Sequence, residues 1–179
     1  YERPKAAVAN PGNPDATGAA TIGGDATDAA GCNTAGTATA FDGGLTLKNN
    51  GSIVNALAAT INIGADKTVE LTGGTIDASA AALTIAGSTS TNVSGTETST
   101  VKGTVVATPL ALNINGTGED ALMLEDAAVL TVASTNVNSG DLGIGAATLN
   151  TGNVVIKSGA SVWTDGAATI NGNTPATDT

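Results

Sequence analysis

From Leu45 to Ile170, short apolar runs recur about every eight residues, and within each run the large side chains stand two apart. Thr60-Ile61-Asn62-Ile63, Thr68-Val69-Glu70-Leu71 and Leu83-Thr84-Ile85 are typical. Side chains two apart share one face of a β-strand, so each run reads as a very short strand with Val, Ile or Leu inward and Thr, Asn, Glu or Lys outward. The series continues through Leu45-Leu47, Ile53-Val54, Ile76, Val93, Val101 to Val106, Leu110-Leu112-Ile114, Leu122-Leu124, Leu130-Val132, Val137, Leu142-Ile144, Leu149, Val154-Ile156, Val162 and Ile170. Turn-rich pieces such as Asn49-Asn50-Gly51-Ser52, Thr72-Gly73-Gly74, Asn115-Gly116-Thr117-Gly118 and Asn171-Gly172-Asn173 separate the runs.

Two all-β architectures accommodate this beat. A sandwich or barrel uses regular short strands, and so does each side of a parallel β-solenoid, where three sides of about eight residues make a coil of roughly 24. The periodic region then holds about five coils, each rising about 4.8 Å. Composition favours the solenoid. Apolar residues are 41% of the chain but aromatics only 2%, with one Trp, one Tyr and one Phe. A sandwich core about 10 Å thick benefits from large rings, whereas a narrow solenoid core needs only aliphatic columns. Helix-favouring Lys, Glu, Arg and Gln are sparse and 24 residues are Gly, so helix is expected to be scarce. A Greek-key sandwich of pilin-like type, completed by a neighbour's donated strand, is the alternative.

The composition changes close to Phe41. Residues 1–41 hold Pro4, Pro11 and Pro14 and small-residue runs, with only Ile22 and Phe41 as sizeable apolar residues after Val8. The division expected is an extended low-complexity N-terminal arm over 1–41, a solenoid domain over 42–173 and a C-terminal tail over 174–179. An arm with so little to bury orders best against another surface. Tyr1, Val8, Ile22 and Phe41 are its candidate anchors, and Trp163 is a candidate interface residue if Val162 faces the core.

Charge and residue types exclude several functions. Six basic residues against sixteen acidic ones give a net charge of −10, which argues against a phosphate-binding surface and therefore against nucleic acid as a partner. No stretch approaches the roughly 20 apolar residues of a membrane span. With no histidine, Ser-His-Asp and Cys-His catalysis and imidazole-built zinc or iron sites are not available. The single Cys32, between Gly31 and Asn33, has no base nearby and no partner for an intrachain disulfide. The closest carboxylate groupings are Asp25 with Asp28, Glu119 with Asp120, and Glu125 with Asp126. One Trp does not line a sugar cleft, so a glycosidase is not expected; the last two pairs are candidates for weak calcium, without EF-hand or nonapeptide spacing. No other cofactor is expected. Asn50-Gly51-Ser52, Asn92-Val93-Ser94 and Asn115-Gly116-Thr117 are sequons.

The runs Ala59 to Leu71 and Thr148 to Val162 resemble the degenerate repeats of autotransporter passengers and filamentous-haemagglutinin-type surface proteins, over roughly Asp42 to Asn173. The resemblance is one of repeat style. It implies a right-handed parallel β-helix with structural or adhesive duty at the cell surface. The expected function is a non-enzymatic structural subunit of an extracellular filament or surface assembly, a homopolymer joined through its ends and its N-terminal arm. An adhesin module binding surface glycans or host receptors, and an ice-binding solenoid, are the rival expectations.

Overall fold

The structure is a computed structural model, and it describes residues 15–16, 20–23, 39–41, 44–48, 52–54, 59–87 and 90–173. Tyr1 and Val8 lie outside them. The described residues form a parallel β-solenoid of about five turns with no helix. Every strand pairing is parallel, which excludes the Greek-key alternative, whose neighbouring strands run antiparallel.

Among the described residues, fifteen strands build three faces. The first face stacks β2 (Ala20–Gly23), β4 (Leu45–Lys48), β7 (Thr68–Thr72) and β9 (Ser90–Gly95), followed by the C-terminal parts of β10 (Ser99–Gly116), β11 (Leu122–Ser139) and β13 (Thr148–Ile156). The second stacks β5 (Ser52–Val54), the start of β8 (Thr75–Ala86), the starts of β10 and β11, then β12 (Asp141–Ile144) and β14 (Ser161–Thr164). The third stacks β1 (Asp15–Ala16), β3 (Thr39–Phe41), β6 (Ala59–Ile63), the end of β8, the middles of β10 and β11, the start of β13 and β15 (Thr169–Asn173). β10 and β11 each run through all three faces, so each is nearly a whole coil. Pro109 sits inside β10 at the passage between two faces. There the ladder to β11 shifts register, between Ala107 and Ala111, as expected where a ladder bond is lost.

The coil length varies around the expected 24: the register advances 24 residues from Leu45 to Val69 but 19 from Thr135 to Val154. Strand pairing also begins before the composition change at Phe41, since β1, β2 and β3 pair with β3, β4 and β6.

The alternation in the sequence becomes aliphatic columns inside. Leu45, Val69 and Leu112 share one, Leu47, Leu71, Val93, Ile114 and Val137 another, and Ile53, Ile76, Val101, Leu124 and Ile144 a third; all are buried. Corners demand tight backbone. Gly103, at φ +70, ends the second face of β10, and a Cβ there would overlap the Ala78 backbone of the coil before. In the next coil Asp126 and Ala127 make the same corner at φ 51 and 56, a region that L-residues seldom occupy.

Candidate interaction surface

The outer side of the first face is a polar ladder. Asn92 Nδ2 donates to Glu70 Oε1 at 2.6 Å, Asn113 Nδ2 to Asn92 Oδ1 at 2.9 Å, and Asn136 Nδ2 to Asn113 Oδ1 at 2.8 Å. These residues occupy one register column, so four coils are tied by side chains as well as backbone. Asn138 Nδ2 donates to Asn115 Oδ1 at 2.9 Å beside it, and on the third face Asn171 Nδ2 donates to Asn150 Oδ1 at 2.9 Å. All these amides donate towards the N-terminal coil. Asn171 therefore turns its carbonyl oxygen away from Asn150, towards the position of a following coil.

That position is unfilled among the described residues. β14 pairs only with β12, β15 only with β13, and the end of β13 only with β11. Burial fades accordingly. Leu149 is fully buried, whereas Ile156 is 39% exposed and Ile170 41%, and Val162 and Ala168 pack against the core only in part. Ile156 and Ile170 are the large apolar side chains exposed among the described residues. An unpaired strand edge beside exposed aliphatic side chains is a template for another parallel strand.

Of the candidate anchors, Ile22 lies in β2 opposite Leu47 and Phe41 in β3 opposite Ile63, both in the N-terminal strands of the stack. Trp163 lies in β14 at the other end. Val162 continues the Leu122–Leu142 column against the core, and Trp163 stands on the outer side, half-buried. Its ring covers Gly143, where a Cβ would stand 2.6 Å from Cζ2, and its Nε1 donates to Asp120 Oδ1 at 2.8 Å. The N-terminal anchors and Trp163 are thus not brought together within one copy.

Of the carboxylate pairs, Asp25 and Asp28 lie outside the described residues, whereas Asp120, Glu125 and Asp126 have protein partners. Asp120 holds Trp163, while Glu125 and Asp126 lie 3.4 and 2.9 Å from Lys102 Nζ. Among the described residues no group of three or more Asp, Glu, Cys or His is placed to hold a metal ion. Lys102 also stacks in register on Asp77 of the preceding coil. Its ammonium titrates above the usual lysine range, chiefly through the hydrogen bond to Asp126. The Asp77 carboxyl titrates below its ordinary value, first through the Ser79 side-chain hydrogen bond and then the Ser79 amide, with Lys102 adding to it. No described helix is long and apolar enough to cross a membrane.

Compared with protein-family models, with curated proteins and with solved structures, the chain matches none.

Proposed function

We propose that this chain is a non-enzymatic structural subunit of an extracellular filament or surface assembly, and that copies associate end to end through their solenoid edges. The observation that carries this reading is the last described coil, where β14, β15 and the end of β13 each have one edge without a strand partner among the described residues, beside exposed Ile156 and Ile170. A second copy offers parallel strands of matching spacing at its other end, where Ile22 and Phe41 sit in the N-terminal strands. A contact between two different ends is heterologous, and it propagates as a filament when its rotation does not close. The likeness of repeat style to surface β-helix proteins and the low aromatic content agree with this role.

The test is electron microscopy and sedimentation of the purified chain over a range of concentrations, with and without calcium. Concentration-dependent filaments or linear oligomers are expected, and the double variant Ile156→Lys, Ile170→Lys should reduce them to monomers while keeping its β-sheet signal. Monomers alone at every concentration would refute the reading.

A further inference from the structure

Met123, Gly143 and Trp163 occupy one outward register column on the second face, in three successive coils. The missing side chain at Gly143 leaves a notch that its neighbours fill from both sides. A Cβ there would overlap the Met123 sulfur and stand 2.6 Å from Trp163 Cζ2. Sulfur and indole therefore lie within about 5 Å of each other, the range of a favourable sulfur–aromatic contact. The indole N–H then reaches past Gly143 to Asp120. Met123 is half-buried, so the residue is not sealed off from solvent.

We propose that Met123 is an oxidation site, and that its sulfoxide expels Trp163 from the notch and loosens the last described coil. The oxidant is a peroxide. One oxygen passes to the sulfur, the O–O bond breaks, the thioether is oxidised to the sulfoxide and the peroxide is reduced to water or an alcohol. The added oxygen is polar and needs both room and a hydrogen-bond donor, and the notch offers neither. Its space is taken by the ring, and the nearby indole N–H is committed to Asp120. Without the ring, β14 retains its backbone pairing on one side, the partial packing of Val162 on the core and the Ser161 Oγ to Asp141 Oδ1 bond of 2.7 Å. Edge coils held by so few contacts open first. Because this coil forms the edge on which the proposed self-association depends, oxidation should also weaken assembly; that consequence rests on the proposed function, whereas the oxidation site does not.

The chain has one methionine and one tryptophan, which makes the experiment direct. The folded protein is treated with hydrogen peroxide at neutral pH, and peptide mass spectrometry locates the added oxygen. Trp163 emission and hydrogen exchange over residues 161–173 are then recorded. Expected are one oxygen on Met123, a red-shifted emission and exchange faster by about tenfold in that segment, with Met123→Leu showing neither change after the same treatment. A Met123 sulfoxide with unchanged emission and exchange overturns the proposal. So does a Met123 that resists peroxide in the folded chain but reacts in urea, or a spectral change that persists in Met123→Leu. Sedimentation of treated and untreated protein is read separately: an untreated chain that never assembles defeats the filament reading, while emission and exchange still decide the oxidation site.

Discussion

The indole nitrogen of Trp163 donates to a carboxylate oxygen of Asp120 at 2.8 Å, across 43 residues of chain. The bond skips a coil. It is made over Gly143, whose missing Cβ leaves the space the ring occupies, and it fastens the edge coil to a turn two layers below. Gly143→Val should therefore lift the ring and cost about 1–3 kcal/mol by overpacking. The loss should appear as faster hydrogen exchange in residues 161–173, leaving the central coils protected. Trp163→Phe keeps an apolar ring but removes the donor, so about 1 kcal/mol is expected from that variant.

The asparagine ladder makes a graded prediction. Asn113 donates to Asn92 and accepts from Asn136, so Asn113→Ala breaks two side-chain bonds in the middle of the stack. Asn171→Ala breaks one, at the exposed edge. At about 0.5–1.5 kcal/mol for each bond, the urea midpoint should fall roughly twice as far for the first variant. Equal shifts would mean that the ladder adds nothing beyond the backbone pairing it accompanies.

The coil architecture was legible because aliphatic alternation is a local signal: Ile61-Asn62-Ile63 and Val69-Glu70-Leu71 declare their inward face within three residues. β1, β2 and β3 were not legible, since Asp15-Ala16, Ala20–Gly23 and Thr39–Phe41 carry mostly small residues and are recruited by pairing. The Trp163–Asp120 and Lys102–Asp126 contacts depend on coil length, which drifts between layers, so no fixed period brings those residues together. A signal did exist for the ladder. Asn92, Asn113 and Asn136 recur at separations of 21 and 23 residues, and aligning the chain on its coils exposes that column.

Two buried hydroxyls stand in core columns and should respond in opposite directions. Ser99 occupies the column of Leu122 and Leu142, and its Oγ accepts from the Gly73 amide at 3.1 Å. Ser99→Ala leaves that N–H without its partner and should cost about 1–3 kcal/mol. Thr91 stands between Val69 and Leu112 and borders a core cavity of about 10 Å³ with Leu71, Val105 and Leu130, its Oγ1 unpartnered. Thr91→Val preserves shape and removes a polar atom that gains nothing from burial, so the urea midpoint should rise by the equivalent of about 1 kcal/mol. A Thr91→Val variant less stable than the parent would show that the hydroxyl has a partner after all.

Lys102 links three carboxylates on one edge of the second face: Asp77 in the coil before it, Glu125 and Asp126 in the coil after it. Its raised titration and the lowered one of Asp77 set opposite limits. The lysine contribution is fully present below its unfolded value near 10.4 and disappears as pH rises through the higher folded value. The Asp77 contribution is present above its unfolded value near 3.9 and disappears as pH falls through the lower folded one. Lys102→Met should therefore abolish an alkaline loss of stability above about pH 10.5 and leave most of the acid limb, because the first cause at Asp77 is Ser79. The groups are partly exposed, with side chains 30%, 40% and 65% accessible for Lys102, Glu125 and Asp126. Solvent screening should hold the effect at neutral pH to less than about 1 kcal/mol, and about 1 M salt should shrink it further. Urea midpoints of parent and variant from pH 3 to 11 read both limbs, and an alkaline limb unchanged in the variant would remove Lys102 from this role.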